Sequence, residues 1–242
     1  MMKEKGEDID AFLRRPNHLG FAISKKEAVV GLFLFIVIPD ESYIEMYVGI
    51  SKDEDAVEEM LDYLEKTYPG YRADFVFNPN WKIFREGLFR RNATFDVEQK
   101  MMVYAHADLD ICLDGIEPYS DTYKEQYIEL HNKDMYWTGD KTILAKQRFN
   151  IFLAIKDGSL VGYIDVTNCY EENEPYDLFV KPECRGKGIG TKLLAKALQE
   201  NGARDMMLLV DVDNEAAIHL YQKVGFVNKD GFNMQTAHLA IE

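Results

Sequence analysis

Apolar positions along the chain switch between a two-residue and a helical period, and the order of the switches predicts the elements. Residues 20–23 and 28–38 are rich in Phe, Ile and Val, with polar Ser24, Lys25, Lys26 and Glu27 between them. Two such runs around a short polar turn read as a hairpin. Residues 43–50 (YIEMYVGI) form another strand candidate. In 55–68, Val57, Met60, Leu61 and Leu64 recur at helical spacing, and Pro69 with Gly70 ends the run. A strand over 72–77, a helix over 81–89 and a closing strand over 97–104 complete this half.

The second half opens differently, with a strand over 111–116 and helices over 120–131 and 141–148. Residues 149–155 and 160–166 then form a hairpin around Lys156, Asp157 and Gly158, where Asp-Gly supplies the tight turn. A strand over 176–180 and a helix over 188–200 follow, and Asn201 with Gly202 ends the helix. A strand over 205–212, a helix over 215–224 and a last strand over 236–241 close the chain. The halves also correspond in position. Val48 and Val180, Asn80 and Asn214, and Phe89 and Phe226 are separated by 132, 134 and 137 residues. Near-constant spacing with one element order predicts a tandem repeat. Two unrelated domains sharing that order would give the same pattern. Both readings place an α/β (α+β) domain in residues 1–108 and another in 109–242, each a mixed, largely antiparallel sheet flanked by helices.

Charge and composition narrow the partners. The chain has 242 residues, 28 basic and 42 acidic side chains and a formal net charge of −14. That balance opposes non-specific nucleic-acid binding, which needs a positive field, and is compatible with cationic substrates. With 47% hydrophobic and 29% charged residues, a packed core is expected. Cys112, Cys169 and Cys184 fit neither a disulfide framework nor a structural zinc site, so no metal is expected. Thiols in a reducing cytosol are the simplest reading. The first residues lack an apolar signal core, and the longest apolar run, 28–38, is too short to span a bilayer. A cytoplasmic protein without membrane or nucleic-acid partners is expected.

One segment carries chemistry. Gly186, Gly188 and Gly190 remove the Cβ from alternate positions between a strand and a helix, so the backbone there can wrap closely around a ligand. The unbonded N–H groups of the helix's first turn and its dipole favour an anion, suiting a pyrophosphate. Arg185 and Lys187 add positive charge. The string lacks the Gly-x-x-x-x-Gly-Lys-Ser/Thr of a P-loop. Its glycine spacing and the antiparallel hairpin before it also differ from the dinucleotide fingerprint.

The string VKPECRGKGIG at 180–190 resembles motif A of the GNAT superfamily of N-acetyltransferases, with its Arg-x-x-Gly-x-Gly loop. NEAAIHLYQKVGF at 214–226 resembles the family's motif B. The resemblance covers about residues 110–242. It implies an N-acetyltransferase that moves an acetyl group from acetyl-coenzyme A (acetyl-CoA) to a small-molecule or peptide amine by direct transfer. The alternative from another class is a non-catalytic acyl-CoA-binding sensor or regulatory module. By resemblance, the backbone at Phe179 and Val180 holds the pantetheine arm. Arg185, Gly186, Lys187, Gly188, Ile189, Gly190 and Thr191 hold the pyrophosphate, and Asn214 lies near the cofactor. Tyr221 matches the tyrosine that reprotonates the sulfur.

Each role has a plainer counterpart. Tyr221 fits an apolar helix face with Ala217, Ile218 and Val224, and Asn214 fits a helix N-cap. A base must also take a proton from the ammonium. Glu174 and Asp177 are the candidates at the strand before Val180, with Asp211 a further strand-interior carboxylate, although all three also fit solvated strand-end charges. Pro175 is expected to disturb that strand. His219 and Cys184 have no readable catalytic partner. In the first half the loop after Val48 reads GISKDEDA, where Asp53, Glu54 and Asp55 would repel a pyrophosphate. The first half is therefore expected to be a degenerate copy without a cofactor loop.

Overall fold

The computed structural model describes residues 9–107, 110–133 and 135–242. Along the chain run α1 (Ile9–Leu13), β1 (His18–Lys25), β2 (Ala28–Ile38), β3 (Tyr43–Ser51), α2 (Glu54–Thr67), β4 (Arg72–Phe77), α3 (Lys82–Arg90), β5 (Thr94–Phe95) and β6 (Gln99–Tyr104). Then follow β7 (Ile116–Pro118), α4 (Lys124–Leu130), α5 (Gly139–Leu144), β8 (Phe149–Lys156), β9 (Ser159–Thr167), β10 (Glu172–Asn173) and β11 (Pro175–Val180). The chain continues with α6 (Ile189–Asn201), β12 (Asp205–Asp211), α7 (Glu215–Lys223), β13 (Phe226–Asn228) and β14 (Gln235–Ala240). The architecture is mixed α/β, with helices flanking mixed and antiparallel sheets. No helix among the described residues is long and apolar enough to cross a membrane.

Two compact units divide the chain. The first holds the described residues up to Lys100, Asp211–Asp213 and Asp230–Glu242; the second holds Met101–Val210 and Asn214–Lys229. The expected boundary between 108 and 109 falls on positions outside the described residues.

The first unit is a six-stranded sheet in the order β1-β2-β3-β4-β14-β5. β2 pairs antiparallel with β1 and β3, β3 runs parallel to β4, and β14 pairs antiparallel with both β4 and β5. Helix α2 starts where the Asp53 carboxylate accepts the Ala56 N–H at 3.0 Å. Its Ala56, Val57, Met60, Leu61 and Leu64 are fully buried, and together with Phe33, Phe35 and Phe75 they make the core.

Two strands join sheets that a division into halves does not foresee. The strand expected at 97–104 does not close the first sheet. Its Met102, Val103 and Tyr104 pair with β13 in the second unit. The last strand of the chain closes the first sheet instead, burying Ala237, Leu239 and Ile241 in that core. The apolar pattern marks both segments as strands but carries no information on which neighbour they pair with.

In the second unit, one sheet runs β11-β9-β8-β7 and another β10-β12-β6-β13. α6 and α7 pack on one core with Ile164, Val166, Leu208 and Val210; α4 and α5 contribute to another with Leu153 and Tyr163. The strand expected at 111–116 forms only over Ile116–Pro118, because the chain turns at Gly115 (φ +81°). The helix expected at 141–148 starts earlier and stops at Leu144, where the Arg148 and Phe149 amides fold back onto the Ala145 carbonyl. Phe89 and Phe226 are not equivalent: Phe89 is 73% exposed within α3, whereas Phe226 is 1% exposed in β13.

Each unit contains one of the chain's two tryptophans, Trp81 in the first and Trp137 in the second. Leu239→Ala is expected to destabilise the first unit by about 2–5 kcal/mol, the usual cost of a buried Leu truncation. In a Trp137→Phe background, Trp81 fluorescence should then report unfolding at lower urea. An unchanged midpoint would separate β14 from the folding of that unit.

Candidate functional site

β11 is hydrogen-bonded along one edge only. Phe179 pairs with Tyr163 and Val180 with Gly162 of β9. A Cβ at Gly162 would stand 2.7 Å from the Phe179 carbonyl oxygen, so this close approach requires glycine. The other edge of β11 has no strand partner among the described residues. β12 instead pairs with β10, through Asp205 and Met206. Pro175 opposes Val166 and Asp177 opposes Asp165, leaving Tyr176 as the extra residue of a bulge. The strand is irregular at the proline, as the sequence predicts.

At the end of β11 the chain enters the glycine turn. Gly186 and Gly188 have φ of +74° and +78°, and a Cβ on either would meet nothing within 4 Å. These glycines are required by conformation, not by space. Arg185 lies back over the strand, its Nε donating to the Val180 carbonyl at 2.9 Å, and its guanidinium is 5.9 Å from the Phe179 ring centre. Lys187 Nζ donates to the Glu183 carbonyl at 2.9 Å. Ile189 opens α6, and Gly188 at its N-cap offers no side chain to the first amides. Thr191 is buried in the first turn. A Cβ at Gly190 would lie 3.4 Å from Leu220 and 3.8 Å from Val180, so α6, α7 and β11 converge there.

The strand-to-helix turn before α2 in the first unit is built differently. The Asp53 carboxylate occupies the start of α2, and Lys25 Nζ bonds Asp53 at 2.8 Å and Asp55 at 2.7 Å. β3 and β4 pair from Tyr43 and Arg72 as far as Met46 and Phe75 and no further. Beyond that pair, a Cβ at Gly49 would meet Trp81 at 3.0 Å; the indole itself stacks 4.3 Å from the Phe84 ring.

On α7, Asn214 caps the helix, its side-chain oxygen accepting the Ala217 N–H at 3.1 Å. No α7 residue is fully buried. Tyr221 packs edge-on to Phe226 at 5.8 Å, and its hydroxyl has no hydrogen-bond partner among the described residues. Burial, then the charge of Asp177, raises its pKa above the ordinary tyrosine value. His219 is exposed and Cys184 buried.

The structure separates the three candidate carboxylates. Asp211 belongs to the first unit and accepts from the Gln99 side chain at 3.0 Å. Glu174 is half-buried just before β11, and burial raises its pKa. Asp177 is the one whose charge reaches Tyr221. Its Oδ2 accepts the Tyr163 hydroxyl at 2.6 Å and lies 3.7 Å from His131 Nε2.

Behind Asp177 stands a buried polar group that the pattern of the sequence did not single out. Asp165 is fully buried; it accepts the Tyr127 hydroxyl at 2.8 Å and pairs with His131 Nε2 at 2.8 Å. Burial holds the Tyr127 and Tyr163 hydroxyls protonated by raising their pKa values. The available signal was an Asp inside the apolar run 160–166, which required a buried partner.

Comparison with known proteins places this geometry. The profile of the acetyltransferase (GNAT) family matches residues 116–226. Over 109 residues the chain is 33% identical to an uncharacterised N-acetyltransferase of Archaeoglobus fulgidus, spanning 40% of this chain and 72% of that protein. An uncharacterised N-acetyltransferase of Methanocaldococcus jannaschii, MJ1207, is 29% identical over 167 residues, 62% of this chain and 72% of its own. Spermidine N(1)-acetyltransferase of Escherichia coli K12 is 32% identical over 117 residues, 46% of this chain and 56% of its own. Among solved structures, a GCN5-related N-acetyltransferase from Sphaerobacter thermophilus shares the fold with a TM-score of 0.64 at 12% identity, covering 87% of this chain and 76% of its own. A tandem GNAT protein from the clavulanic acid biosynthesis pathway has a TM-score of 0.54 at 13% identity over 92% of this chain and 83% of its own.

Asn214→Ala should lower stability by about 1 kcal/mol through loss of the cap, whereas Asn214→Asp should largely keep it. Thermal unfolding of both variants checks this. Equal melting of Ala and Asp forms would show that the cap contributes nothing.

Proposed function

Because the chain belongs to the acetyltransferase (GNAT) family, we propose that its second unit transfers the acetyl group of acetyl-CoA directly to a primary amine, with Asp177 as base and Tyr221 as acid. The observation that carries this reading is the unpaired edge of β11 running into the glycine turn at the start of α6. The donor brings a thioester, whose acetyl carbon is open to attack by a neutral amine. Its pyrophosphate suits the amides from Arg185 to Thr191, where two left-handed glycines shape the turn and no side chain caps the helix. Its pantetheine arm suits the backbone at Phe179 and Val180, since an unpaired strand edge offers the N–H and C=O groups an amide-bearing chain needs.

The residues divide the proton work by charge. An ammonium with pKa near ~10.4 must lose a proton before nitrogen attacks. Asp177 is half-buried and already faces Tyr163. Its carboxylate is the group we assign to that proton. Tyr221 keeps its own proton because burial and the Asp177 charge raise its pKa, and its hydroxyl is uncommitted. It is the group we assign to protonate the departing sulfur. Glu174, half-buried just before β11, adds a second carboxyl beside that strand, which favours a cationic acceptor. The formal charge of −14 and the likeness to a spermidine acetyltransferase support a small cationic amine.

We assign no cofactor to the first unit. There Asp53 fills the helix start that a phosphate would need, and Trp81 stands beside Gly49 where β3 and β4 part. It is a degenerate copy in this reading.

Calorimetric titration with coenzyme A should therefore give one site per chain. Gly186→Ala with Gly188→Ala should weaken it at least about tenfold, because left-handed alanine costs roughly 1–2 kcal/mol per residue. Two sites, or undiminished binding in the variant, would sink the cofactor assignment. In a thiol-release assay across an amine panel, Tyr221→Phe should lower kcat by on the order of a hundredfold with KM little changed. A wild-type rate in that variant would remove Tyr221 from the chemistry.

A further inference from the structure

Asp165 and Asp177 are directly opposite residues of adjacent antiparallel strands. Both side chains turn to the same face, where Tyr163 and His131 meet them. Like charges in that relation repel, and Asp165 is fully buried, so water does not screen it. A positive group between them would relieve that repulsion. His131 Nε2 lies 2.8 Å from Asp165 and 3.7 Å from Asp177.

We propose that His131 is a positioning residue, held as an imidazolium between the two aspartates so that Asp177 stays ionised as the base. This rests on the reading that Asp177 takes the proton of the acceptor. In that step the ammonium N–H bond breaks, its electron pair stays on nitrogen, and the proton moves to an Asp177 oxygen and then to water.

The hydrogen bonds orient the ring. Nδ1 donates to the Asn132 carbonyl at 3.2 Å, leaving Nε2 for the carboxylates. Burial raises the Asp165 pKa, against the hydrogen bonds from His131 and Tyr127. The charge of Asp177 favours the shared proton on the histidine. Burial alone would lower the His131 pKa; the bond and charge of Asp165, the Asn132 carbonyl and the charge of Asp177 together raise it above the ordinary value.

The other surroundings agree. β9 presents Tyr163, whose ring stacks 5.1 Å from the imidazole, besides Asp165. α4 presents Tyr127, which donates to Asp165. β11 presents Asp177. α5 presents Gly139, where a Cβ would lie 3.0 Å from the His131 Cβ. No second cation among the described residues faces the group.

The test is the pH dependence of kcat/KM in the full chain, whose acid limb reports the free enzyme's base. His131→Gln should move that limb up by about one pH unit, since an opposite charge at this range favours the ionised carboxylate by at least that much. A merely structural histidine would lower the rate equally at all pH values. A folded His131→Gln protein with an unmoved limb overturns the proposal. Should that variant fail to fold, imidazole ¹⁵N shifts of the wild type decide. An imidazolium at pH 7, where an ordinary histidine is mostly neutral, supports the proposal, and a neutral ring overturns it. Asp177→Asn keeps the two failures apart: if it retains full turnover, the base assignment falls; if it loses turnover while His131→Gln leaves the limb in place, only the role of His131 falls.

Discussion

The second unit is organised around a strand that, among the described residues, pairs on one side only. β11 takes its hydrogen bonds from β9, while β12 turns away to β10. An unpaired edge leaves N–H and C=O groups needing partners, which proteins normally cover or blunt. Here it is left open, and the neighbouring elements are shaped around it. Gly162 lets β9 press against Phe179 from the paired side. The bulge at Tyr176 turns Asp177 toward the Tyr163 face. Gly190 allows α6 and α7 to come together at the strand's end, and α7 stays half-exposed along the opening.

The site has two electrostatic characters. On the glycine-turn side, exposed Arg185 and Lys187 and a side-chain-free helix start favour anions. On the Asp177 side, carboxylates dominate, and tyrosine hydroxyls and one histidine balance them in a nearly dry interior. A molecule bridging the two would meet phosphate-friendly amides at one end and an amine-friendly carboxylate at the other. The low dielectric on the buried side makes its few charges strong and their loss costly.

Legibility followed distance along the chain. The turn from Arg185 to Gly190 is a local device, so consecutive residues reveal it, and α2, α6 and the β8–β9 hairpin have the ranges their periodicity implies to within a few residues. Pro175 marks its bulge for the same reason. The group behind Asp177 was not legible, because His131 and Asp165 are 34 residues apart and Asp165 and Asp177 meet only through strand register. A shift of one residue would send one aspartate to the other face. Strand pairing was hidden likewise: residues 97–104 and 236–241 have strand character, but nothing in either names its partner. Phe89 and Phe226 match in spacing and differ wholly in burial.

The place of β14 has a consequence for how the protein comes into being. Chains emerge from the ribosome N-terminus first, and domains generally fold as they become available. The residues that complete the first sheet are made only after the entire second unit has been synthesised. Until then β4 is paired only with β3, and Ala73 and Phe75 lack the cover of Ala237 and Leu239. The unit whose sequence appears earliest is thus the last to be finished, and during translation its raw strand edge depends on whatever shelter the cell provides.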